Sequence, residues 1–87
     1  MKDSTEGDGL MAGHPVDRAQ RVALDHLLDN DPAQLAEREV ALVVGDAADT
    51  RDALLDLVAA GLAHERDGFY WPTRAAVAFA RLRAEDA

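Results

Sequence analysis

Apolar positions recur along this chain at two spacings, and each spacing predicts an element. From Pro15 onward, Ala19, Val22, Ala23 and Leu27 return every three or four residues, with Leu24 and Leu28 widening the stripe. This is the repeat of one buried helix face, and it predicts a helix from Pro15 to Leu28. Pro15 suits the first helical position, where a missing N–H forfeits no hydrogen bond. The run Asp29-Asn30-Asp31-Pro32 ends the helix, because proline disfavours helical backbone at the residue before it. Residues 34–45, QLAEREVALVVG, admit two readings. Val40, Val43 and Val44 suit a buried strand over 40–44. Leu35, Glu37, Arg38, Glu39, Ala41 and Leu42 suit a short helix ending at Gly45, which is the reading adopted. Leu54, Leu57, Val58 and Leu62 then form an apolar stripe. They predict a helix from Thr50 to Ala60, capped by Asp46 or Asp49 and stopped by Gly61.

The period then changes to two. Leu62 to Arg66 reads as a short strand and Phe69 to Trp71 as its return. Between them, Asp67-Gly68 is a pair that tolerates the two positive φ angles of a type I′ turn. Alternation sets Phe69 and Trp71 on one face and Tyr70 on the other. Phe69 and Trp71 are expected to close the core, leaving Tyr70 exposed as a contact residue. Pro72 is expected to end the strand at a sheet edge, where a lost donor is tolerated. Thr73 then caps a fourth helix whose stripe is Ala75, Ala78, Phe79 and Leu82. Residues 1–13 are polar and without periodicity and read as a disordered leader. Residues 14–84 read as one domain, and 85–87 as a tail.

Composition narrows the function classes. The chain has 87 residues and no cysteine, so disulfides, zinc–thiolate sites and thiol catalysis are excluded. Nothing approaches the roughly 20 apolar residues of a membrane span or the apolar stretch of a secretory signal, and a cytoplasmic protein is expected. Ser4 is the only serine, and no phosphate-cradling glycine motif or His-Glu metal motif occurs. His14, His26 and His64 have no partner at metal-ligand spacing, and His26 reads as a packed histidine. Neither an enzyme nor a cofactor nor a metal site is expected.

Charge adds a complication. Seventeen acids face nine bases, a net charge of −8, and eight of those bases are arginine. The bias fits a GC-rich genome or a salt-rich cytoplasm. In about 1 M salt the screening length shrinks to roughly 3 Å, which would mute repulsion from phosphate.

The order helix, short helix, turn, helix, hairpin, helix resembles a winged helix-turn-helix domain, mainly α with a small β-hairpin. The resemblance rests on EVALVVG (39–45), similar to a first helix-turn-helix element with its turn glycine. TRDALLDLVAAGL (50–62) is similar to a recognition helix running into the wing, and AHERDGFYWPTRAA (63–76) to the wing and the start of a fourth helix. The chain is similar in particular to small MarR- and PadR-like transcriptional regulators. The resemblance implies double-stranded DNA as partner, with the recognition helix in the major groove and the wing on the backbone, and a homodimer through the terminal helices. Groove-facing candidates are Asp49, Thr50, Arg51, Asp52, Leu55 and Asp56; wing candidates are His64, Glu65, Arg66 and Asp67. Thr50, Arg51, Arg66 and Tyr70 are the expected contacts.

This chain departs from that pattern in one respect. With Leu54, Leu57, Val58 and Gly61 facing the core, Asp49, Asp52, Asp56 and Ala59 are expected opposite, where DNA readers gather bases. The competing expectation is a winged-helix protein-interaction module, its acidic helix or aromatic wing docking a basic or apolar partner, DNA mimicry included.

Overall fold

The computed structural model describes residues 15–86; the expected leader lies outside them. Four helices and a small antiparallel sheet follow in the order α1 (Pro15–Asp29), β1 (Leu35–Ala36), α2 (Glu37–Val44), α3 (Ala47–Ala59), β2 (Ala63–Arg66), β3 (Phe69–Pro72) and α4 (Arg74–Asp86). This helix-rich layout with its hairpin is compatible with a winged-helix-like fold. No described helix is long and apolar enough to cross a membrane.

α1 begins at Pro15 as expected and turns Ala19, Ala23 and Leu27 fully inward. Their i, i+4 spacing makes one narrow line, and its alanines allow the close approach of α3. Val40 and Val44 of α2 and Ala53, Leu54 and Leu57 of α3 meet that line. Segment 37–44 is helical because Glu39 reaches back to accept from the Ala36 amide at 2.7 Å, and Gly45 closes the helix at φ 98. Just before it, Leu35 and Ala36 form a two-residue strand that the valine-rich pattern did not predict. α3 starts three residues earlier than expected, because Asp46 rather than Asp49 is the cap: its carboxylate accepts from the Asp49 amide at 2.8 Å.

The sheet order is β1-β3-β2. Asp67 and Gly68 have φ 55 and 85, the two left-handed residues of the expected turn. Arg66 therefore pairs with Phe69, His64 with Trp71 and Ala63 with Pro72. Ala63, Tyr70 and Pro72 are buried, whereas Phe69 is 44% exposed. The aromatic phase is thus the reverse of the expected one: Tyr70 closes the core, while Phe69 and Trp71 look outward. The reason is the register. Ala63, emerging from α3, is buried against the core, and its partner Pro72 must share that face. Two residues back along β3, Tyr70 shares it too, and Leu35 of β1 pairs with it there. Pro72 ends the central strand and not an edge strand; β1 pairs only with Phe69 and Tyr70, so no ladder partner needs the missing donor.

α4 also presents a different face from the one expected. Ala76 is buried and Val77 and Ala80 are half-buried, while Phe79 and Leu82 are 58% and 60% exposed. Thr73 sets this phase. Its hydroxyl donates to the Gly61 carbonyl at 2.8 Å and accepts from the Ala76 amide at 3.1 Å. Residue 76 is thereby drawn inward at the first turn. A cleft of about 390 Å³ remains between α1 and α4, bordered by Leu24, Leu28, Leu62, Phe79, Arg21 and Arg83.

These burials generate a paired prediction. Tyr70→Ala should lower stability by about 3–5 kcal/mol, and Phe69→Ala by less than about 1 kcal/mol, measured by urea denaturation. Equal losses would overturn the register.

Candidate nucleic-acid interface

Four residues were expected to touch DNA, and the fold divides them into two pairs. Thr50 is fully buried, with its hydroxyl donating to the Asp46 carbonyl at 2.6 Å. It serves the first turn of α3 and offers nothing to a ligand. Tyr70 is 5% exposed and belongs to the core. Burial withdraws both from the contact set. Arg51 and Arg66 are exposed. Arg51 stands on α3 with its side chain 69% accessible and its Nε 3.9 Å from Glu37 Oε1. Such an exposed pair contributes little to stability, so the guanidinium is held only loosely beside α2. Arg66 ends β2 at the wing turn and shares the outer sheet face with Phe69.

The face of α3 differs from the expected one as well. Thr50, Ala53, Leu54 and Leu57 are its buried positions. At 3.6 residues per turn the opposite face carries Ala48, Asp52, Leu55 and Ala59. Only one of the three aspartates is central. Asp49 and Asp56, seven residues apart, share a flank that turns toward α1, where Asp56 accepts from Gln20 Nε2 at 2.9 Å. Arg51 lies on the other flank, toward Glu37 of α2. The outward face is therefore small, largely apolar and singly acidic, with Leu55 52% exposed. On α2, Leu42 is 85% exposed. It was read only as a helix-forming residue, although Val40 and Val44, facing inward, already set it opposite them.

The outer face of the sheet was missed by the sequence reading. His64 and Trp71 pair across β2 and β3 with ring centroids 5.5 Å apart and planes inclined by 42°. The signal for it was present: a two-residue turn at Asp67-Gly68 fixes which residues face one another, and one buried position then orients all of them. Of the remaining histidines, His26 is half-buried on α1, and His14 lies outside the described residues.

Under the sheet's inner face, the Tyr70 phenol is held above its ordinary value of 10.0, first by burial, then by the negative charges of Glu37 and Glu65, with Arg51 partly opposing them. Burial and both carboxylates favour the neutral phenol, so Tyr70 stays protonated where the unfolded chain has begun to ionise. Its contribution to stability is complete below the unfolded value and is lost as pH rises through the folded one. A spectrophotometric titration of this single tyrosine should therefore show a midpoint above the ordinary value of 10.0, with Glu37→Gln moving it down. A midpoint unmoved by that substitution would remove Glu37 from the phenol's surroundings. Comparison with protein-family models, with curated proteins and with solved structures finds no match to this chain.

Proposed function

We propose that the chain is a winged-helix DNA-binding protein of regulatory type, similar in layout to MarR- and PadR-like regulators. It holds duplex DNA from the edges of the site instead of from the centre of α3. The observation that carries this reading is the unit formed by α2, the Gly45 turn, α3 and the hairpin, with Arg51 and Arg66 exposed at its helix edge and wing. Both cations suit backbone phosphates, which position a protein on DNA without reading sequence. Asp52 at the centre of α3 is the wrong charge for phosphate, and accepting a hydrogen bond from a cytosine amino group is the base contact open to it. The protein's net charge of −8 opposes approach to DNA at low salt. A salt-rich cytoplasm would relieve that repulsion.

A homodimer belongs to this reading. Phe79 and Leu82 leave apolar surface on α4 beside the α1–α4 cleft, and a second copy would cover it. Phe79→Ser with Leu82→Ser should then convert a dimer to a monomer in sedimentation equilibrium without loss of helix content. A wild-type chain that sediments as a monomer would end the dimer proposal.

A second reading is favoured by one observation, the exposure of Leu55 and Leu42 on α3 and α2 near acidic neighbours. Each of these apolar positions suits a basic, apolar protein partner better than it suits DNA. One titration separates the two readings. Duplex DNA bound over a salt series should give a log–log slope that falls by about 1 on Arg66→Ala and again on Arg51→Ala. Leu55→Ser should leave it unchanged. An absence of duplex binding at every salt concentration would reject the regulator and leave the docking module.

A further inference from the structure

We infer that the outer face of the β-sheet is a stacking platform for unpaired bases of single-stranded DNA. The inference rests on the nucleic-acid reading above and adds to it a substrate class and a surface. Cross-strand partners in an antiparallel pair share a face, so this face carries His64 and Arg66 from β2, Phe69 and Trp71 from β3, and Ala36 from β1. Phe69 is 44% exposed, His64 and Arg66 are exposed, and Trp71 is half-buried against the His64 ring. Three of these five residues are flat π systems, and the fourth is a guanidinium. No carboxylate stands among these five residues. Glu65 alternates to the other face, and its carboxylate is engaged by the Gly68 amide at 2.9 Å.

The chemistry of this row selects its occupant. Phe69 and Trp71 are separated by two strand positions, about 6.6 Å at the usual rise. That spacing offers separate platforms to successive bases of an extended strand, as sheet-surface aromatics do in nucleic-acid modules. Arg66 pairs with Phe69, so a base stacked on Phe69 would bring its phosphate toward the guanidinium. Duplex DNA cannot use the platform, because its base faces are already stacked on one another. A net charge of −8 works against a charge-driven site, but stacking does not depend on net charge, and the one cation needed lies in the row itself. Stacking faces are common to DNA and RNA bases, and the commitment to DNA follows from the DNA reading above.

Trp71 is the only tryptophan, so its own fluorescence reports the event. The intact chain is titrated at several salt concentrations with oligothymidine DNA, with a duplex of equal length and with oligouridine RNA. Oligothymidine should quench Trp71 and bind with weak dependence on salt; the duplex should not quench it. Phe69→Ala, at an exposed position, should weaken oligothymidine binding about 5- to 150-fold, the loss of one stacked base. Phe69→Tyr should restore it. No quenching by oligothymidine, or an affinity unchanged by Phe69→Ala, overturns the platform. If the duplex still binds in that case, the regulator reading stands alone. If no nucleic acid binds, both fall. Tighter binding of oligouridine overturns the choice of DNA.

Discussion

A two-residue turn governs this fold. Asp67 and Gly68 both take positive φ, and a turn of that length leaves one register for the strands it joins. Because side chains alternate across a strand, one buried residue then assigns every other residue to a face. Ala63 is that residue. Its burial brings Pro72 and Tyr70 inward and sends His64, Trp71, Arg66 and Phe69 outward. β1 extends the same pattern by setting Leu35 against Tyr70. A slip of β3 by one residue would turn Phe69 and Trp71 toward a core lined by small residues and turn Tyr70 outward, and overpacking of that core opposes it.

The core beneath the sheet is small, and its economy explains the rest of the packing. Ala19, Ala23, Ala53, Ala63 and Ala76 are all buried. Alanines carry little apolar area, so stability comes from backbones brought close together and from correctly terminated helices. Asp46, Glu39 and Thr73 each satisfy amide groups at a helix start that would otherwise lack partners. The few large side chains available, Leu27, Leu54, Leu57 and Tyr70, fill the space where α1, α3 and the sheet converge. The acidic surface enters this arrangement through Asp46 and Glu39, whose carboxylates serve the helix starts.

Much of the architecture was legible in the amino-acid sequence because it rests on local rules. Pro15 starts α1, Gly45 and Gly61 stop α2 and α3, Asp67-Gly68 turns the hairpin and Thr73 caps α4. The choice of helix over strand for residues 37–44 followed from Glu39 and Gly45, and it matches the fold. What could not be read locally was phase. The aromatic triplet offers two large residues on one face and one on the other, and size alone favours burying the pair. The decisive partner is Ala63, a small residue whose burial depends on where α3 delivers the chain. The same holds for α4, whose buried line is set by a hydrogen bond from Thr73 to Gly61, twelve residues away. On α3, the face opposite the leucines was misjudged because Thr50 and Ala53 were not counted as core, and their inclusion rotates the outward direction away from Asp49 and Asp56. Of the candidate contacts, Arg51 and Arg66 were recognisable as exposed cations, whereas Thr50 and Tyr70 carry polar atoms that the backbone and the core had already claimed.

Thr73 has a consequence for motion. One hydroxyl bonds both the carbonyl that ends α3 and the amide that begins α4, and the same residue's own amide donates to Leu62 at the root of the hairpin, 3.1 Å away. α4 buries Ala76, half-buries Val77 and Ala80, and has a cleft along one side. Its first turn and the root of the hairpin share one anchor, so a rigid displacement of α4 about that turn would be transmitted to the base of the hairpin through Thr73.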